Sequence, residues 1–399
     1  MRVPTALLLL ALLLPLPAVA QERFDRAVHI GAVDSLWSDA LDESRPYLVY
    51  TPPSYADTTI TTQRYPVLYL LDGAAHFHSV SGLVQILGTG VNGTLAVPGM
   101  IVVAIPNTNR TRDLTPTHTM VGLDGDTVPG FEHSGGNAAF FDFLENELIP
   151  RVESRYPTLP YRVFVGHSFG GITTLNALYT IPDVFDAYVA IDPSLWWDRE
   201  TLLKRAKDYF GSADLHGKVL YVAQANTLMP DDSTVNRHFG AITRFNAIME
   251  AYDASGIRYA FRYYHDDDHG SVPLIAEYDA LRFIFDGYRA PLQRVVEDPP
   301  LLVRHFREVS ERLGTTFRPP EAMLRQLSRF TLEQDTAAAV AFGEMRVELY
   351  PESWRGWDFL GDVRAAQGEA ARARECWEEA LRRNPDAEAV REKLEGLGG

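Results

Sequence analysis

Seven short runs constrain the fold more than anything else in the chain. RPYLVYTP (Arg45–Pro52), YPVLYLLD (Tyr65–Asp72), GMIVVAIP (Gly99–Pro106), YRVFVG (Tyr161–Gly166), AYVAID (Ala187–Asp192), KVLYVAQ (Lys218–Gln224) and IRYAFRYY (Ile257–Tyr264) all read as strands. Several are nearly unbroken apolar stretches with no polar face to give to water, so they must be covered on both sides. Between them lie segments with helical periodicity, such as Asn137–Tyr156, Gly171–Ile181 and Arg237–Gly256. The alternation predicts an α/β fold: a mainly parallel sheet with helices on both faces.

The ends of the chain read differently. Residues 1–20 carry one basic residue, a short proline-broken apolar run and the small-residue ending Ala18-Val19-Ala20, the pattern of a secretory signal peptide cut after Ala20. The expected location is periplasmic or secreted, with no membrane attachment after cleavage. A net charge of −16 argues against nucleic acid and anionic membranes as partners. The single cysteine, Cys376, cannot make an internal disulfide, so an exported chain of this kind must rest on its core. After APLQRVVEDPP (Ala290–Pro300) no strand pattern returns. Trp357, Leu360, Gly361, Ala373, Trp377, Ala380 and Pro385 then stand at the offsets of a tetratricopeptide unit, and Pro351 precedes Pro385 by the 34 residues of that repeat. The expected division is a signal peptide over 1–20, an α/β domain over 21–290 and a small all-α tetratricopeptide-like domain over 291–399. A generic helical hairpin is the alternative for the last part, and its helices offer a surface to a protein partner.

GHSFG (Gly166–Gly170) satisfies G-x-S-x-G, with a strand before it and a helix after it. In that setting the serine is lifted out of a sharp turn as a nucleophile, and the glycines leave room for the turn. Ser168 needs a base. His269, beyond the last strand and ahead of a helix, is where chain order places it, and His265 is the competitor. The run His265, Asp266, Asp267, Asp268, His269 also suggests a metal cluster, but it lies in a loop rather than on one helix face, so no metal and no cofactor are expected. For the acid, the loop after Lys218–Gln224 offers Asp231 and Asp232. Asp232 is favoured, Asp231 is the alternative, and Asp192 is a third choice because triads are defined by geometry. The oxyanion donors are expected to be the backbone N–H groups of Phe169 and Ala74.

With LYLLDG, IPNTNRTRDLTPT, GGNAAFFDFLENELIP, FVGHSFGG, FDAYVAIDPSLWWD and DHGSVP in this order, the chain resembles the putative esterase (esterase D-like) family of α/β-hydrolases. This group resembles ferric enterobactin and related siderophore esterases, and more distantly feruloyl esterases, S-formylglutathione hydrolases and mycolyltransferases. The resemblance runs from about Arg26 to Tyr288. It implies an α/β-hydrolase fold, Ser168 and His269 as catalytic residues, and an acid close to the end of the strand, where this chain has Asn226 and Thr227. Arg110 and Arg112 have two readings: a clamp for an anionic substrate group, or ion pairs with Asp113 that hold the loop. Trp196 and Trp197 either wall an aromatic acyl pocket or close the core. His76, His78, His118, His133 and His167 are read as structural. The expected function is an exported serine esterase acting through a Ser-His-Asp triad and an acyl-enzyme. Its substrate would be a small-molecule ester, such as that of a siderophore or an aromatic acid on a sugar. An acyltransferase on the same fold and a non-catalytic scaffold acting through the C-terminal helices are the alternatives.

Overall fold

A computed structural model describes residues 28–89, 95–229, 232–251 and 255–397; the proposed signal peptide lies outside them. Eight strands form one sheet: β1 (Ala32–Ser38), β2 (Glu43–Tyr50), β3 (Tyr65–Leu70), β4 (Ile101–Ala104), β5 (Thr158–His167), β6 (Ala187–Ile191), β7 (Val219–Ala225) and β8 (Arg258–Tyr264). Their order is β1-β2-β4-β3-β5-β6-β7-β8, parallel from β4 to β8, with β1 and β2 antiparallel at one edge. All seven expected strands are present. The eighth, β1, is a largely exposed edge strand with polar and apolar residues mixed, so it lacks the apolar signature of the others.

The helices of the first part are α1 (Gly73–Thr89), α2 (Arg110–Asp113), α3 (Asn137–Asp142), α4 (Ile149–Arg155), α5 (Phe169–Thr180), α6 (Trp197–Phe210), α7 (Ser233–Ala251) and α8 (Val272–Ile284). Strand side chains alternate between two cores, as the period of two requires. Val67, Tyr69, Phe164, Tyr188, Leu220 and Val222 enter the core under α3 to α7, and Leu68, Val163, Val165, Val189, Tyr221 and Ala223 enter the core under α1 and α8. This is the α/β-hydrolase arrangement expected.

The chain then becomes wholly helical through α9 (Leu292–Glu297), α10 (Pro300–Leu313), α11 (Glu321–Thr331), α12 (Thr336–Leu349), α13 (Trp354–Ala366), α14 (Ala370–Arg383) and α15 (Glu388–Gly396). The second core does not stop at residue 290: Phe285 and Tyr288 pack continuously with Phe306, Phe317 and Met323. The buried carboxylate of Glu321 ties the two parts together as well. Glu321 takes Arg346 at 2.7 Å and Ser353 at 2.5 Å through Oε1, while its Oε2 accepts the N–H and hydroxyl of Thr61. No helix among the described residues is long and apolar enough to cross a membrane.

Candidate active site

Ser168 sits between β5 and α5 with φ 59° and ψ −113°, a conformation that costs a non-glycine residue energy and survives only where its surroundings hold it. Its N–H donates to Ile191 O at 3.0 Å, and its own carbonyl accepts the N–H of Ser194 at 3.1 Å. The turn is as tight as the motif demands, because a Cβ on Gly166 would lie 2.2 Å from the carbonyl oxygen of Gly170. The Ser168 hydroxyl lies 3.3 Å from that of Ser194.

His269 stands in the loop after β8. Asn226 at the end of β7 fixes that loop, its N–H reaching Asp267 O at 2.8 Å and its side-chain amide reaching His265 O at 2.9 Å. Asp268 accepts the N–H groups of Gly270 and Ser271, so two of the three loop aspartates tie down backbone and the Ser271 hydroxyl. His265 points outward beside Asp266, both largely exposed, and does not join His269.

The acid is where the structure departs from expectation. His269 Nδ1 lies 2.5 Å from Oδ2 of Asp192, not from Asp232. Asp231 lies outside the described residues, and Asp232 begins the turn into α7 with its N–H on Met229 O. The reason is positional. Asp192 follows β6 directly, adopts φ 40°, and reaches across the end of β7, where Oδ1 accepts the N–H of Ala225 at 2.9 Å. The end of β7 that would carry an acid holds Asn226 instead, committed to the histidine loop. Asp192 is fully buried. Burial opposes its ionisation, but hydrogen bonds from His238 and His269 prevail and hold the carboxyl well below the usual carboxylate range.

His238, on α7, escaped the sequence reading. Its Nε2 lies 2.9 Å from the same Asp192 Oδ2. The available signal was its place on the buried stripe of α7 with Ala241, Ile242, Phe245 and Met249. Asp192, His238 and His269 are the described residues whose potential ligand atoms come close together. Two ring nitrogens within hydrogen-bond distance of one carboxylate oxygen account for that convergence.

Arg110 and Arg112 separate. Arg112 binds Glu43 and Asp113 at 2.7 Å each, beside the buried Arg45, the loop-holding ion pairs of its structural reading. Partial burial of Glu43 favours its neutral form, yet Arg112, Thr108 and Arg45 hold it down at about 2. Arg110 reaches the site. It forks onto Asp72 at 2.7 and 3.0 Å and lies over the Phe169 ring at 5.2 Å. Asp72 is held below its ordinary range because Arg110 and Asn107 outweigh burial. Trp197 is fully buried against Phe131 and Phe169 with its indole N–H on Thr117 O, so it closes the core. Trp196 remains partly exposed beside Phe169.

Of the expected oxyanion donors, the N–H of Ala74 stands between neighbours that are occupied. Gly73 donates to Ile105 O, and Ala75 and His76 donate to Asp72 O, while Ala74 has no backbone acceptor among the described residues. Phe169 is the first residue of α5, where an N–H has no carbonyl one turn back. His167 is pushed down to about 4 by burial, with the nearby charge of His269 adding to it, and its ring centroid lies 4.5 Å from that of His269.

The Putative esterase family model matches residues 38–238. The chain belongs to this family. It is a carboxylic ester hydrolase, as relatives from bacteria and fungi are. Ferri-bacillibactin esterase BesA of Bacillus subtilis (strain 168) is 30% identical over 260 residues, which are 61% of this chain and 86% of that protein. The siderophore triacetylfusarinine C esterase of Aspergillus fumigatus is 31% identical over 181 residues; the match takes in 42% of this chain but only 58% of that relative's length. Among solved structures, the IroE-like serine hydrolase from Shewanella oneidensis is 33% identical with a TM-score of 0.72, covering 80% of this chain and 99% of that one.

Proposed function

We propose that this esterase is exported and cleaves the ester bonds of a siderophore through Ser168, His269 and Asp192. The observation that carries the chemistry is the 2.5 Å contact between His269 Nδ1 and Asp192, which leaves Nε2 as the nitrogen that can act as base. In this reaction Ser168 Oγ bonds to the ester carbonyl carbon and its proton passes to His269 Nε2. The oxyanion is met by the N–H groups of Phe169 and Ala74. His269 then protonates the departing alcohol, and a water molecule activated by the same ring cleaves the acyl-enzyme, returning the proton and freeing the acid. Asp192 stays ionised throughout and holds the ring in the Nδ1–H tautomer. The siderophores named for the Bacillus subtilis and Aspergillus fumigatus relatives motivate the siderophore class. Trp196 and Phe169 beside Ser168 suit an aromatic or acyl group, and the paired Arg110 borders the same site.

The test is pre-steady-state hydrolysis of p-nitrophenyl butyrate, followed by product analysis with bacillibactin and triacetylfusarinine C, each with and without iron. A stoichiometric burst in the mature protein, absent in Ser168→Ala, is expected. Asp192→Asn should lower kcat about 10⁴-fold, while Asp232→Asn stays within about twofold of wild type. Loss of activity in Asp232→Asn with a fully active Asp192→Asn would reverse the assignment of the acid.

A further inference from the structure

Resting on that triad, we infer that His238 is a positioning residue: it locks the Asp192 carboxylate in the orientation that presents Oδ2 to His269. The carboxylate has three fixed donors. Ala225 N–H holds Oδ1 at 2.9 Å, while Oδ2 faces His269 Nδ1 at 2.5 Å and His238 Nε2 at 2.9 Å. Asp192 lies one residue beyond β6 with a left-handed backbone, so the sheet ladder does not itself set its side-chain rotation.

His238 carries a cost that its single bond must justify. It is buried, and its Nδ1 has no hydrogen-bond partner. A buried unsatisfied nitrogen is unfavourable, and an apolar ring of similar volume would avoid that cost. The missing partner on Nδ1 assigns the ring proton to Nε2, the nitrogen facing Asp192. The neighbouring elements show the same division of labour. Asn226 after β7 secures the backbone of the histidine loop, and Ala225 and His238, from β7 and α7, secure the acid. One strand and the helix after it thus hold two catalytic groups that come from other strands. The other titratable or charged groups near the pair are Asp268, next to His269 in its own loop, and His167 of β5, at 4.5 Å between ring centroids from His269, with His76 on α1, Asp72 after β3 and Arg110 on α2 beyond it.

The experiment compares His238→Phe and His238→Gln in the full chain, using p-nitrophenyl butyrate over a range of pH. Phe fills the space without a donor; Gln restores an amide N–H near the position of Nε2. His238→Phe should lower kcat about 10- to 100-fold with KM within about twofold. The acid limb of kcat/KM should move to higher pH, because a carboxylate relieved of one donor attracts the His269 imidazolium more strongly. Thermal stability should match or exceed wild type, and His238→Gln should recover most of kcat and return the limb. Unchanged kcat and pH limb in His238→Phe would overturn the inference, as would a loss of activity that only tracks a lower Tm with the limb unmoved. Asp192→Asn, measured alongside, separates the two readings. If it is fully active the triad assignment fails; if it is inactive while His238→Phe is unaffected, only the positioning role fails.

Discussion

A buried carboxyl on α8 sets a pH dependence of its own. Glu277, on α8, is buried, lies 3.4 Å from His76 Nδ1, and leaves Oε2 without a partner; burial pushes its carboxyl up to about 8. Its folded-state value exceeds its unfolded one, so the unfolded chain ionises first and stability falls as pH rises from about 4.5 to about 8. Glu277→Gln removes that loss. Urea unfolding should therefore show the variant gaining on wild type between pH 5 and pH 8, with little further change by pH 9; a difference that stays flat would refute the buried acid. Among the proposed catalytic residues, Ser168 was legible because its glycines and flanking elements form a local pattern, and His269 because it follows the last strand. Asp192 was ranked third because chain order pointed to the loop after β7. Carboxylates on adjacent strands of a parallel sheet can reach the same histidine, and local sequence does not choose between them. His238 was hidden for a simpler reason: on a buried helical stripe a histidine looks like core.

Elements meet at the site through a shared device. Asp72 after β3, Ser168 after β5 and Asp192 after β6 all have positive φ, at 52°, 59° and 40°. Each turns its side chain out at the carboxyl end of its strand, and none is a glycine, so no composition signal marked them. A second left-handed stretch opens α6. Asp198, Arg199 and Glu200 have φ of 46°, 55° and 66°, directly after Trp196 and Trp197. Left-handed geometry costs an L-residue about 1–2 kcal/mol. Asp198 bonds to Thr201 and Glu200 to Arg244, whereas Arg199 is exposed. Arg199→Gly should accordingly raise stability by about 0.5–1 kcal/mol, seen as a higher Tm. A lower Tm would mean that Arg199 makes a contribution its exposure does not reveal. The apolar strands were plain in sequence because burial on both faces leaves no polar alternation; this turn was not, because packing rather than residue type imposes it.

Taken whole, the molecule has a single continuous apolar interior on one side of the sheet, running from α1 and α8 into α9 to α12. The sharp change of composition near residue 290 marks a change of architecture that the core ignores. Glu321 is the polar bolt across that junction, with Arg346, Ser353 and Thr61 on its two oxygens. Glu321→Ala leaves the Arg346 guanidinium buried and unpaired, so a loss of about 3–5 kcal/mol is expected in urea unfolding. Unfolding should remain one transition for both parts, and two separate transitions would contradict the shared core. The helical part grips the sheet at Thr61 and Pro160, near the amino ends of β3 and β5, whereas Ser168, Asp192 and His269 stand at the carboxyl ends of β5, β6 and β8. Handle and workface are therefore at opposite poles. Anchored to a bead or fused to a carrier through the helices beyond α12, the enzyme would turn its catalytic mouth toward bulk solvent, and a bulky ester could arrive without meeting the tether.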